Sequence, residues 1–232
     1  METKDLKILY EDNHIIVVVK PQNIPTQADS SGDEDMLSVV KKYLKEKYGK
    51  TGNAYAGLVH RLDRPTGGVM VFAKTSKAAS RLSESIREGE LQKCYLAVVN
   101  GKMPTSGGKL THYLKKNAVT NTVYVVPEAT EGAKKAELIY DVMEEKGNYQ
   151  LVLIRLLTGR GHQIRVQLSS VHATICGDKK YGNNEPCKLA LWATVLKFTH
   201  PVTKELMTFI AYPPEDETPW RAFDIERALR NF

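Results

Sequence analysis

In the stretch HRLDRPTGG, residues 60–68, one carboxylate, Asp63, lies between Arg61 and Arg64. Pro65 and the Gly67-Gly68 pair follow at once. A surface ion pair needs neither proline nor glycine. Proline fixes φ and glycine admits positive φ, so together they point to one required backbone shape at the carboxylate. An aspartate in water titrates near ~3.9, so a carboxylate can serve as a nucleophile at neutral pH without a general base. Arginines beside it would aim it rather than activate it.

A second group of chemically capable residues stands in TGRGHQIR, residues 158–165. Arg160, His162, Gln163 and Arg165 crowd behind a Thr-Gly turn where a helix begins. Donors bunched at a helix mouth suit phosphate or carboxylate. Tyr95 sits on a strand and offers a ring and a hydroxyl. Each has a plainer reading: Asp63 as a turn residue before proline, Tyr95 as core, Arg165 as a solvated helix residue, His162 as a structural hydrogen-bonder. Phosphate-loop, dinucleotide, HExxH and GxSxG motifs are absent from the sequence.

The elements that must position these residues follow from periodicity. ILYED and HIIVVVK flank Asp12-Asn13 as a hairpin ending at Pro21, and residues 22–35 read as a polar loop. MLSVVKKYLKEKYG predicts a helix with Leu37, Val40, Leu44 and Tyr48 inward and Gly49 as its stop. Its basic run, KKYLKEKYGK (41–50), reads as a solvated face. GGVMVFAK is a strand, and Ser76 to Glu88 a helix with Ala79, Leu82 and Ile86 inward. LQKCYLAVVNG alternates, placing Leu91, Lys93, Tyr95, Ala97 and Val99 on one side before an Asn-Gly turn. Strands are expected near 122–126, 136–143, 149–157 and in LALWATVLKF. HQIRVQLSSVH is a helix, and Thr218-Pro219 opens a closing helix through Leu229. Short turns between strands imply a largely antiparallel sheet, and no repeat of solenoid length appears.

The 232 residues can bury a substantial core. Lys and Arg total 33 against 27 Asp and Glu, a formal charge of +6 that favours a polyanionic partner without establishing one. Cys94, Cys176 and Cys187 form no CxxC pair, which disfavours a disulfide framework; their spacing with His172 matches no zinc pattern. The early apolar run IIVVV is too short for a signal segment or a membrane span. A reducing cytoplasm is the expected location.

HRLDRPTGGVMVFAK resembles the catalytic-aspartate signature of the RluA-type RNA pseudouridine synthases, HRLDxxTSG followed by an apolar strand and Ala-Lys. LQKCYLAVVNG resembles that family's tyrosine strand, and TGRGHQIR its third motif. GDKKYG (177–182), LALWATVLKFTHPVT (189–203) and the opening EDNHIIVVVKP resemble its other landmarks, so the resemblance runs over residues 8 to 213. Gly67 replaces the usual serine, and Trp192 stands where histidine is common.

The resemblance implies an α/β (α+β) pseudouridine-synthase fold: a mixed, mostly antiparallel central sheet with flanking helices and a basic central cleft. It implies a single catalytic domain over residues 1–232, without the S4-type RNA-binding domain several relatives carry. The implied activity is isomerisation of uridine to pseudouridine in structured RNA, ribosomal or transfer, with no cofactor, metal or obligatory protein partner. Asp63, Tyr95 and Arg165 are the implied catalytic residues, Arg165 pairing with Asp63. Arg61, Arg64, Arg160 and Gln163 are the implied RNA contacts, Arg61 helping to fill the space left by an extruded base. Attack at C1′, addition to C6 and assistance to elimination at C2′ are all open to the carboxylate. A non-catalytic RNA-binding or chaperone protein of the same fold is the rival reading, but a pure binder has no use for a carboxylate facing phosphates. A glycosidase would need two convergent carboxylates.

Overall fold

The computed structural model describes residues 3–182 and 185–232. In chain order, β1 (Lys7–Glu11) and β2 (Ile15–Lys20) precede α1 (Met36–Lys47). Next come β3 (Gly57–Leu58), β4 (Gly67–Ala73) and α2 (Ser76–Arg87). Five strands follow: β5 (Gln92–Asn100), β6 (Gly107–Asn117), β7 (Thr122–Val126), β8 (Lys134–Lys146) and β9 (Tyr149–Leu156). The chain closes with α3 (Gln163–Ser170), β10 (Thr174–Ile175), β11 (Leu191–Thr199), β12 (Leu206–Ile210) and α4 (Ile225–Leu229). It divides into two compact units, residues 1–91 with 195–211, and residues 92–194 with 212–232. The pairings β1–β2, β2–β4, β3–β4 and β11–β12 in the first unit and β5–β9, β9–β8, β8–β6, β6–β7 and β5–β10 in the second are antiparallel, in keeping with the expected fold class.

In the first unit β2 pairs with β1 on one edge and β4 on the other, while β3 also pairs with β4 and β11 with β12. All six residues of β2 are buried, which is why its sequence is a continuous apolar run rather than an alternation. The β1–β2 turn is closed by Asp12, whose Oδ1 accepts from the amides of His14 and Ile15 at 2.8 Å each. Asp35 caps α1 by accepting from Ser38 N, and Thr75 caps α2 by accepting from Ala78 N.

The inward faces of both helices differ from the sequence expectation by a small rotation. In α1 the buried residues are Met36, Val39, Val40 and Leu44, and Tyr48 is 47% exposed. Tyr48 faces out because its hydroxyl donates to Glu11 Oε1 at 2.8 Å, joining Tyr43, Lys47 and Lys74 around that carboxylate. Burial pushes Glu11 up, but those four bonds outweigh it and bring it down to about 2. In α2 the buried residues are Ala78, Leu82 and Ser85.

In the second unit the strands run in the order β5-β9-β8-β6-β7, with β10 also on β5. α3 packs its Val166 against Leu114, Val123 and Ala136. β5 is buried on both faces from Cys94 to Val99, so the expected one-sided alternation does not hold there. The sequence reading missed β6: GGKLTHYLKKN opens on two glycines and spaces its leucines four apart, a weak strand signal. The closing helix is also shorter than expected. A 3-10 turn at Trp220–Ala222 gives way to an extended Phe223, and Asp224 then caps α4.

Candidate active site

Asp63 lies in the first unit, half-buried, between β3 and β4. The amide of Thr66 donates to the Asp63 carbonyl at 3.0 Å, closing a turn whose centre is Arg64-Pro65. Three side chains from residues 20–26 then fasten the surrounding backbone. Thr26 Oγ1 donates to the Leu62 carbonyl at 2.8 Å and accepts from the Leu62 amide at 3.2 Å. Gln22 Nε2 donates to the Pro65 carbonyl at 3.1 Å. Lys20, fully buried, donates from Nζ to the carbonyls of Pro21, Ile24 and Arg64 at 2.9, 2.7 and 3.0 Å. An ammonium has three N–H bonds, and three carbonyls receive them. Burial drives this amine down to about 7, against the opposing pull of the Asp63 carboxylate.

The glycine pair divides its work. Gly68 has φ 124°, a conformation closed to other residues, whereas Gly67 is not among the positive-φ residues. The serine usual in related motifs would therefore fit the backbone at 67. His60 supports the next strand by accepting at Nε2 from the Val71 amide at 3.1 Å.

Tyr95 and Arg165 belong to the second unit. Tyr95 lies on β5 opposite Ile154 and is 5% exposed. Arg165 stands in the first turn of α3 and is 6% exposed. Its Nε and Nη2 donate to Asp178 Oδ2 and Oδ1 at 2.8 and 2.7 Å, a two-pronged fit of fork to carboxylate. Burial pushes the Asp178 carboxyl up, but Arg165 and the amides of Lys180 and Tyr181 outweigh it and hold it below the usual carboxylate range. The Tyr181 ring lies 5.1 Å from the guanidinium carbon.

The turn before α3 is ordered by Gln163, 3% exposed. Its Oε1 accepts from Thr158 Oγ1 at 2.8 Å and the Arg160 amide at 2.9 Å, and its Nε2 donates to the Glu137 carbonyl at 3.0 Å. His162, at φ 51°, precedes the helix, and its Nδ1 meets the Tyr181 hydroxyl at 2.7 Å. Among the basic candidates, Arg61 is exposed, and Arg160 is exposed with its Nε on the Lys135 carbonyl at 3.0 Å. Arg64 is exposed but engaged: it donates to the Asn23 carbonyl, Ser31 Oγ and Asp33, with Asp29 at 3.8 Å.

Sequence reasoning singled out Asp63 but not the residues that hold its loop. Lys20, Gln22 and Thr26 fell in a stretch read as a strand end and a polar loop. The available signal was three hydrogen-bonding side chains at and just beyond the end of a buried strand. Asp178 and Tyr181 stood in GDKKYG, noted only as a landmark. Cys176 is buried and Cys187 partly so; among the described residues no group of three or more His, Cys, Asp and Glu gathers as metal ligands would. Among the same residues no helix is long and apolar enough to cross a membrane.

The chain is similar to known proteins in sequence and in fold. The chain is 32% identical over 231 residues to the ribosomal large subunit pseudouridine synthase D of Haemophilus influenzae, covering 93% of this chain and 69% of that one. It is 35% identical over 221 residues to the ribosomal large subunit pseudouridine synthase C of Escherichia coli K12, covering 90% and 66%. Its fold matches the solved human RNA pseudouridylate synthase domain containing 4 with a TM-score of 0.77 at 23% identity, over 91% of each chain. The profile of a family described as RNA pseudouridylate synthase matches residues 14–170. The chain belongs to the RNA pseudouridylate synthase family and is an isomerase that converts uridine in RNA to pseudouridine.

Proposed function

We propose that residues 1–232 act as one catalytic domain in which Asp63 is the nucleophile, Tyr95 faces the uracil and Arg165 aims the carboxylate. The isomerisation breaks N1–C1′, turns the base and forms C5–C1′; the C5 proton leaves and N1 ends protonated. A carboxylate suits this sequence because it can bond to an electrophilic carbon and later depart. The observation that carries the proposal is the Asp63 turn, closed by Thr66 and fastened by Lys20, Gln22 and Thr26. Such fastening fixes the position of the carboxylate's own backbone before substrate arrives, which lowers the entropy cost of reaching a reactive geometry.

Tyr95 supplies a ring for stacking and a hydroxyl for proton movement. A stacked or paired uridine must first be extruded, at a few kcal/mol, and Arg61 is the proposed occupant of the vacated space. Arg61 and Arg160 are the proposed phosphate contacts. The ion pairs of Arg64 and the buried amide of Gln163 support ordering of their loops as the main work of those two residues. Relatives named for the ribosomal large subunit support ribosomal RNA as the substrate class, and three free cysteines support a reducing cytoplasm. The test is to map pseudouridines across total RNA from cells with and without this protein. Loss of one or a few sites in large-subunit ribosomal RNA is expected; loss confined to transfer RNA would overturn the substrate assignment.

A further inference from the structure

Arg165 occupies a costly place. It is a cation in the first turn of a helix, where the helix dipole disfavours positive charge, and it is 6% exposed. Its partner Asp178 is 1% exposed, so both charges have been taken out of water. A buried ion pair of this kind is often no more stable than apolar residues of the same volume. Fold stability alone gives little reason for the pair.

The surroundings of Asp178 fix its direction closely. Its Oδ1 accepts from the amides of Lys180 and Tyr181 at 2.9 and 3.1 Å, in addition to Arg165. The Gly182 amide donates to the Asp178 carbonyl at 2.8 Å. Gly177, at φ 71°, lets the chain turn into this loop where a Cβ would lie 2.4 Å from the Lys188 carbonyl oxygen. Tyr181 is anchored as well: its hydroxyl accepts from the Val123 amide at 2.8 Å and meets His162, and its carbonyl accepts from Ser169 Oγ at 2.8 Å. The loop 177–182 thus presents a fixed carboxylate and a fixed ring to one guanidinium.

We propose that Asp178 is a positioning residue for the isomerisation, acting through Arg165: it holds the Nε–Nη2 edge so that the Nη1–Nη2 edge points in one direction. This rests on the reading of Arg165 as the residue that aims Asp63. With the Nε–Nη2 edge committed to Asp178, the loop 177–182 sets the direction of the guanidinium plane and of its Nη1–Nη2 edge. Asp178 also neutralises the guanidinium, so Arg165 can orient an anion without acting as an uncompensated counter-charge.

The test is a double-mutant cycle read by single-turnover pseudouridine formation on RNA extracted from cells lacking this protein. Wild type and Asp63→Asn are measured first; a wild type that forms no pseudouridine sinks the functional reading and not the loop. Asp178→Asn keeps shape and removes charge. Its rate should fall by about 30-fold or more, while RNA affinity stays within about threefold and the folded spectrum is retained. In an Arg165→Gln background the same change should cost less than about threefold. A purely structural Asp178 would cost the same in both backgrounds, and that result, or an unchanged rate in Asp178→Asn, overturns the proposal. If Asp178→Asn does not fold, Tyr181→Leu, which removes the ring beside the guanidinium, is read in the same cycle against Tyr181→Phe, which keeps that ring and removes only the hydroxyl that meets Val123 and His162. A loss of about three- to tenfold that vanishes with Arg165→Gln supports the proposal, and one that persists, or no loss at all, overturns it.

Discussion

The Asp63 loop and the Arg165 helix are held by opposite means. Around Asp63 the described bonds from Lys20, Gln22 and Thr26 fall on the backbone of residues 62, 64 and 65. Around Arg165 they fall on the side chain itself, through Asp178. Fastening the backbone sets where the Asp63 side chain begins and leaves the aiming of its carboxylate to other groups, the role proposed for Arg165. A group that only orients another can have its side chain locked. The two regions share one economy, however: in both, a buried charge from a neighbouring segment supplies the hold.

Breaking the side-chain lock should have the largest effect. Arg165→Met leaves the Asp178 carboxylate buried without its partner, at about 3–5 kcal/mol, readable as a fall in melting temperature. Arg165→Lys keeps a charge but not the fork, so its single-turnover rate should fall on the order of 10²-fold with RNA affinity preserved. A fully active Lys variant would show that charge alone suffices.

The backbone hold comes next. Lys20→Met leaves three carbonyls without their donor, where a buried unmet polar group costs about 1–3 kcal/mol. The deficit should depend on pH. Burial lowers the folded-state amine to about 7, whereas a lysine in water titrates near ~10.4. Between those values the unfolded chain holds a proton the folded chain has released, so wild-type stability rises with pH, by at most ~1.4 kcal/mol per unit for one group. Lys20→Met loses that rise. Its deficit against wild type should therefore be larger at pH 9 than at pH 6.5, and equal deficits in denaturant titrations would show that the amine does not release its proton in this window.

Thr26→Val, nearly isosteric, removes both bonds to Leu62 and should cost about 1–3 kcal/mol. A rate loss beyond what the lost stability explains would sharpen the claim that this residue sets the carboxylate's position; unfolding with normal turnover would confine it to packing. The smallest effects concern the basic surface. Reversing Arg61 or Arg160 to Glu should weaken RNA binding and reduce its log–log salt slope by roughly 0.7 per lost phosphate contact. Reversing Lys41, Lys42 or Lys45, all exposed on α1, should change neither. Greater damage from the α1 changes would place the RNA on a different face.

Local pattern made much of this legible. The ordered motifs named the family, Pro65 and Gly68 announced a shaped loop, and α2 runs over Ser76–Arg87 where Ser76 to Glu88 was expected. What stayed hidden was contact across sequence distance. Thr26 meets Leu62 across 36 residues and Lys20 meets Arg64 across 44, and periodicity carries no trace of a side chain meeting a distant carbonyl. Lys20 in particular reads as a charged strand end before proline, yet it is fully buried. β6 was obscured because its two opening glycines and its polar end, Lys115 to Asn117, weaken the pattern.

The central claim, that the Asp63 carboxylate performs the chemistry, is tested most directly by Asp63→Asn, which keeps size and hydrogen-bonding capacity but removes the charge. Pseudouridine formation and RNA affinity would be measured on the same RNA, extracted from cells lacking this protein. Affinity within a fewfold of wild type with no detectable pseudouridine is the expected result. Turnover within about tenfold of wild type would contradict the account.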